Sequence, residues 1–415
     1  MTRTPRVYWL TDEFYPPEIG GTGVMAANLA QGLAACGLET HVITRQTQPP
    51  CLSREAIGEV DVRRIRPAGR LKGAGWRALP AVLYYLVKLI VLLTLEARRF
   101  DVLMISGMKI IPLAAVPVCR LLGKKCVIRV ESPFEIVEPI SAESLGAMRG
   151  VLGRLLSRVL RRLQRAVLRR ADAVIAISAD MVTVLSGCGL PPARIVKITN
   201  AIDLVRFQPL PAEERAQLRL SLGIPPQATM VLYTGRLSRA KGVGMLIDVW
   251  RGLVATRPNL LLVLVGSGRG SWDDCEDEIV AAVRTHAIEK HVLLAGQSDR
   301  VQDYVQAADL FVSPSDYEGF GLALVEALAG GVPAVTTSVG VAPEILRHGV
   351  NGFLCPPKNP DALTAVLEEA LAQRGRWPQI GRLGLEAVQE YDLPRVAARY
   401  CALVHELCGQ APPAS

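Results

Sequence analysis

The chain has 415 residues, 50% of them hydrophobic, and a formal net charge of +8. That length exceeds what one hydrophobic core fills, roughly 250 to 300 residues, so two domains are expected. Nine cysteines, scattered and without CxxC or His-paired spacing, exclude a disulfide framework and a structural zinc and read as reduced thiols of a cytosolic protein. Aromatics, at 5%, do not interleave with the basic residues, which argues against a nucleic-acid surface.

The chain opens on "RVYWLTDE", an apolar run too short for a signal peptide that reads as a first buried strand. Further strand-like runs follow as "THVITR", "DVLMISG", "KCVIRVE", "AVIAIS" and "RIVKITN". After residue 205 come "TMVLYTGR", "LLLVLVGSG", "HVLLAGQ", "DLFVSPS", "PAVTTS" and "GFLCPP". Segments of helical period, such as "VMAANLAQGLAACG" and "VGMLIDVWRGLVATRP", stand between them. Continuous Val/Ile/Leu runs alternating with helices imply parallel sheets covered on both faces. The proline-rich "RFQPLPAEERAQLRLSLGIPPQ" separates the two sets. The fold class is therefore α/β, two Rossmann-like doubly wound domains. Their strand ends would face a cleft, where ligands of such sheets bind.

Two helices of the first half stand apart. Residues 79–99, "LPAVLYYLVKLIVLLTLEARR", are unusually apolar but interrupted by Lys88 and short for a span, so a buried or interfacial helix is expected. Residues 149–170 carry eight arginines and no acid, with apolar residues near a 3.6 period. Such a helix fits an anionic membrane surface; it equally fits a helix with one face on its sheet and its arginines in water.

The turns after strands hold the candidate chemistry. After the first strand, Gly20, Gly21 and Gly23 precede a helix and fit either a tight turn or the approach of an anion or sugar to free amides. Arg236 and Lys241 lie after a second-domain strand beside a helix start; two converging cations suit a diphosphate, although solvated surface cations have the same spacing. Gly266, in "VLVGSGRG", follows the next strand and fits the lining of the same cleft or a plain turn. The sharpest stretch is "SPSDYEGFGLALVEALAGGVPAVTTS", residues 313–338. Glu318 sits in a turn, Gly319 and Gly321 let the backbone fold closely, and Glu326 interrupts an otherwise apolar helix. Carboxylates accept from hydroxyls, which suits a sugar and a ribose. The acidic "WDDCEDE" at 272–278 reads as a solvated helix start.

The E-x7-E pattern within "PSDYEGFGLALVEALAGGVP", together with "GRLSRAKG", "TNAIDLVRFQP", "APEILRHGVNGFL" and "PPEIGGTG" in the same order, resembles the GT4-type retaining glycosyltransferases with the GT-B fold. The likeness covers about residues 6 to 405. It implies an acceptor domain over residues 1–205, a nucleotide-sugar donor domain over 206–391, and a last helix, 392–415, packing back on the first. By the same resemblance Arg236 and Lys241 hold the donor diphosphate, Glu326 the ribose, and Glu318 the transferred sugar. Amides near Phe320, Gly321 and Leu322 approach the sugar and phosphates, Gly21 lies beside the reacting centre, and residues 297–301 lie near the base. No cofactor and no metal is implied, the cations and helix end neutralising the leaving diphosphate.

Many relatives place His where this chain has Glu131, which fits either a group that orients sugar or acceptor or the start of a loop. The five histidines read as structural. The expected protein is thus a sugar transferase with a nucleotide-sugar donor and a lipid-linked or carbohydrate acceptor. It is expected in the cytoplasm, peripheral on the inner membrane face, with no nucleic-acid partner. A same-fold phosphorylase or sugar-nucleotide epimerase, and a non-catalytic membrane tether, are the alternatives.

Overall fold

The protein is described from a computed structural model, covering residues 3–15, 21–46, 52–66, 79–107, 110–132, 151–269 and 273–411. It divides into two compact units, Met1–Ala201 with Leu393–Ser415, and Ile202–Asp392. Part of the "PPEIGGTG" segment, including Gly20, and the end "SPFE" of "VIRVESPFE" past Ser132 lie outside the described residues, as do Cys51 and Arg149.

The first unit holds β1 (Arg6–Thr11), β2 (Glu39–Arg45), β3 (Arg54–Ile57), β4 (Val60–Ile65), β5 (Val102–Ser106), β6 (Lys125–Val130), β7 (Ala173–Ala176) and β8 (Ile195–Lys197). Their order is β3-β4-β2-β1-β5-β6-β7-β8, all pairs parallel except β3 with β4. Every strand read from an apolar run is present. The β3–β4 hairpin was not foreseen, because "VDVRRI" puts charges where a buried strand shows none. Val60 and Val62 face the core, and Arg64, itself buried, is paired with Glu55. Gly58, at φ 59°, makes the two-residue turn.

Successive strands run outward in opposite directions from the β1/β5 pair, so this is the sheet's switch point. The helices Leu79–Leu95, Ile111–Leu121, Val151–Leu168 and Ala179–Gly187 share one core, with Tyr85, Leu89, Val116, Cys119, Leu168 and Met181 meeting Tyr8 and Leu10 of β1. Trp9 alternates to the other face. There its ring stacks on Tyr400 of the helix Leu393–Leu407, centroids 6.1 Å apart. A side chain at Gly32, on the helix Gly21–Ala35, would come within 2.9 Å of Ala397, so the two helices touch at that glycine.

The second unit holds β9 (Thr229–Thr234), β10 (Leu260–Val265), β11 (Val292–Gly296), β12 (Leu310–Ser313), β13 (Ala334–Thr337) and β14 (Phe353–Cys355), all parallel in the order β11-β10-β9-β12-β13-β14. Its switch point is the β9/β12 pair. Fully buried Trp250, whose Nε1 donates to His291 O at 3.0 Å, fixes the helix Val243–Thr256 on this sheet.

Candidate active site

The β9 and β12 turns are locked together by backbone. Gly242, at φ 67°, caps the helix Val243–Thr256, and a Cβ there would lie 2.1 Å from Pro314 O. Asp316 N donates to Ala240 O at 3.0 Å. This approach brings Lys241 and Glu318, 77 residues apart, into contact: Nζ donates to Oε2 at 2.6 Å. The other carboxylate oxygen accepts from Ser315 Oγ at 2.7 Å. Both charged side chains are about one-fifth exposed, 21% and 17%, so each stays open to a solute. Arg236 is placed by the same β9 turn, its carbonyl accepting from the Tyr233 hydroxyl at 2.7 Å. Burial, reinforced by the charge of Glu318, pushes the Tyr233 phenol well above its ordinary range and keeps it a donor.

Beyond Glu318 the chain bends tightly into a helix. The Phe320 side chain is buried against Tyr391, centroids 6.0 Å apart, and its carbonyl accepts from Val341 N at 2.7 Å. Gly321, at φ 103°, caps the helix Leu322–Ala329. The amides that open this helix, that of Leu322 included, carry its positive end, while Leu324 N already donates to Gly321 O at 3.1 Å. Glu326 is half-buried one turn further in, and burial pushes its carboxyl up to about 7, against the opposing pull of Arg206. Arg206 is itself held by Gln302 Oε1 at 2.9 Å and Asp299 O at 3.0 Å, in and just beyond the 297–301 turn.

Gly266 completes the group of turns. At φ 138° it sits so close to β9 that a Cβ would lie 1.8 Å from Gly235 O. The acidic stretch after it corrects the expectation of a merely solvated helix start. Glu276 folds back to accept from Ser267 Oγ at 2.5 Å and Gly268 N at 2.9 Å, and the Ser267 bond leads in holding its carboxyl below the usual range. Asp273 is buried.

Arg236, Lys241, Gly266, Glu318, Phe320 and Gly321 therefore lie in one unit on the segments after β9, β10 and β12, with Leu322 and Glu326 on the helix that follows β12. Sequence reasoning missed Ser315, Tyr233, Glu276 and Gly340. Gly340, at φ 58°, packs under the turn, where a Cβ would meet Phe320 O at 2.4 Å and Glu318 Cβ at 2.8 Å. Only Ser315, adjoining the Glu318 motif, had a signal in the sequence. Gly21 and Glu131 stand in the first unit. Gly21 opens the helix Gly21–Ala35 after β1, and Glu131 follows β6. Glu131 is paired with buried Arg129, which also donates to Asn200. The five histidines all hold structural partners: His41 with Glu39 and Asp61, His286 with Asp248, His291 with Leu260 O, His348 with Glu369, and His405 with Gln410.

Two family models match the chain: Glycosyltransferase Family 4 over residues 19–206, and Glycosyl transferases group 1 over residues 214–382. An uncharacterized glycosyltransferase of Methanocaldococcus jannaschii is 28% identical over 89% of this chain and 90% of its own length. The lipopolysaccharide core biosynthesis mannosyltransferase LpsB of Rhizobium meliloti is 29% identical over 50% of the chain, which spans 60% of that relative. The fold matches HepE of Anabaena, solved in complex with UDP-glucose, at a TM-score of 0.74 and 20% identity, covering 97% of this chain and 99% of that one. Two doubly wound units, and family models that together cover residues 19–206 and 214–382, lead to one conclusion: the chain is a glycosyltransferase and belongs to the GT4-type family with the GT-B fold.

Proposed function

We propose that the protein transfers a sugar from a nucleotide-sugar to a lipid-linked or other glycan acceptor, with retention at the anomeric carbon and without a metal cofactor. The observation that carries this reading is the contact of Lys241 with Glu318 at the β9/β12 switch point. A diphosphate competes for Lys241, and as it takes the ammonium, Glu318 becomes available to sugar hydroxyls. Arg236 supplies a second cation, and the helix end at Gly321–Leu322 supplies amides. Together they neutralise the charge that develops on the leaving diphosphate. Glu326 accepts from the ribose, and Gly266 lets backbone close on the ligand. Gly21 and Glu131 serve the acceptor side. HepE's complex with UDP-glucose supports the donor class, and LpsB's name supports a glycan acceptor. We place the protein in the cytoplasm, peripheral on the inner membrane face.

The test is a thermal-shift screen against UDP-, GDP- and ADP-sugars in excess chelator, followed by NMR of the product's anomeric proton. One nucleotide class should raise Tm, and transfer with retained configuration should persist in chelator. Failure of every nucleotide to shift Tm overturns the donor reading. Release of sugar to orthophosphate alone would make the protein a phosphorylase instead.

A further inference from the structure

The helix Leu79–Leu95 buries Ala81, Tyr85, Leu89, Leu92 and Leu93 in the first unit, yet its outer face is apolar too. Leu83, Tyr84, Val87, Ile90, Val91 and Leu95 are exposed, Leu95 at 79%. A helix on a protein's surface normally turns charge to water. Here Lys88 is its single charged residue, and its ammonium lies 4.8 Å from the centroid of the Tyr84 ring.

The exposed apolar surface continues across the neighbouring helices. The helix Ile111–Leu121, packed beside it, ends on Leu121, which is 87% exposed. The helix Val151–Leu168, packed beside that one, buries Val167 and Leu168 but turns Val159 and Leu163 outward. Between these two helices runs a groove of about 770 Å³, floored by Leu113, Pro117, Leu163 and Val167. Arg120, Arg169, Arg170 and Arg194 line the same groove. Among the described residues Arg120 has Asp172 within reach at 3.8 Å, and the other three guanidiniums donate to backbone carbonyls. Further along, Arg158, Arg162 and Arg165 are exposed, and no carboxylate among the described residues pairs with them.

We infer that this face docks on an anionic lipid bilayer. The outer side chains of Leu79–Leu95 enter the boundary between headgroups and acyl chains, the arginines lie against lipid phosphates, and the groove takes one acyl chain. Aligned apolar and cationic surface is the combination that a charged interface selects. A second copy of the chain is a poorer occupant, because self-association would bring two like-charged sets of arginines together. Among the described residues no helix is long and apolar enough to cross a membrane, so the face lies on the bilayer rather than spanning it. The arginine helix packs one side on the unit and turns the other outward. The inference rests on the peripheral placement proposed above but not on glycosyl transfer, because vesicle binding needs neither donor nor acceptor.

The test is flotation of the full-length protein with phosphatidylcholine vesicles, with and without one-third phosphatidylglycerol, at low and high salt. Binding should be at least about tenfold tighter to the anionic vesicles and fall with salt as screening shortens. At about fivefold per charge, R158Q/R162Q/R165Q should weaken it on the order of a hundredfold. L83S/V87S/V91S should also lower it while leaving the residual binding salt-dependent. Circular dichroism and the nucleotide-induced thermal shift report folding and donor binding separately, so their retention with lost flotation isolates this face. Equal binding to neutral and anionic vesicles, or unchanged flotation of both variants, overturns the inference. So does a concentration-dependent dimer in sedimentation velocity that the serine variant abolishes while vesicles go unbound.

Discussion

Lys241 and Glu318 neutralise each other at 2.6 Å, so changing one alone leaves a partly buried charge without its partner. Lys241→Ala should weaken nucleoside diphosphate binding about ten- to a hundredfold and lower Tm. Adding Glu318→Gln to that background should restore part of the Tm, because it removes the stranded carboxylate; strictly additive losses in the melting cycle would refute the coupling. Alone, Glu318→Gln should lower kcat with nucleoside diphosphate affinity kept, as expected for a contact that strengthens in the transition state. Glu326 makes a separate prediction. Its carboxyl moves from 4.5 to about 7 on folding, so the folded state binds more protons than the unfolded one between those values. Stability therefore falls as pH rises through that window, and the cost is fully present above 7. Glu326→Gln should be more stable than the parent at pH 8, by on the order of 3 kcal/mol, and nearly equal to it below pH 4.5. Ribose hydroxyls favour the carboxylate form, so nucleotide binding near pH 6 should release protons. Calorimetry in buffers of different ionisation enthalpy measures this, and zero release removes Glu326 from the ribose. The two glutamates were legible because each stands where an apolar pattern or a strand end makes a carboxylate costly. Tyr233 was not, because its role is a hydrogen bond that only the folded turn creates, and Ser315 showed only in adjoining the Glu318 motif.

At the scale of elements, the parallel strands could be read from sequence because burial on both faces makes them continuously apolar. β3 and β4 escaped because they are an edge hairpin whose charges are answered by contacts such as Arg64 with Glu55 and Arg54 with Asp61 at 2.9 Å. The glycine turns were legible in kind but not in partner. Gly340 lies beyond β13, some twenty residues after Glu318, yet it fixes the path of residues 318–320. Gly340→Ala adds a Cβ 2.4 Å from Phe320 O in a backbone region unfavourable to alanine, so the turn carrying Glu318 must shift. The expected result is a Tm loss of a few degrees and a larger, at least tenfold, loss of transfer, with the β10–β11 half of the sheet unchanged in hydrogen exchange. Normal turnover would show that Glu318 does not depend on this packing.

At the scale of the whole molecule, the first unit is built from both ends of the chain, since the helix Leu393–Leu407 belongs with Met1–Ala201. Its amphipathic pattern was plain in the sequence; its return to the first unit was expected only from the family resemblance, because periodicity names a buried face without naming what covers it. The contacts are specific. Tyr400 stacks on Trp9, Arg399 donates to Lys197 O at 2.6 Å, and Val396, Ala397 and Val404 are buried. Large apolar side chains are worth roughly 1.5 to 3 kcal/mol each when buried, so losing this helix removes a large part of one unit's margin. The β1 face also stays uncovered until the last residues are made. A chain ending at Asp392 should therefore show faster hydrogen exchange in β1 and the helix Gly21–Ala35, while β9, β10 and β12 keep their protection. Its nucleotide-induced thermal shift should survive, because the groups assigned to the donor lie in Ile202–Asp392. Equal loss of protection in both sheets would mean that the two units unfold as one, and unchanged protection in β1 would mean that the terminal helix is dispensable to the unit it completes.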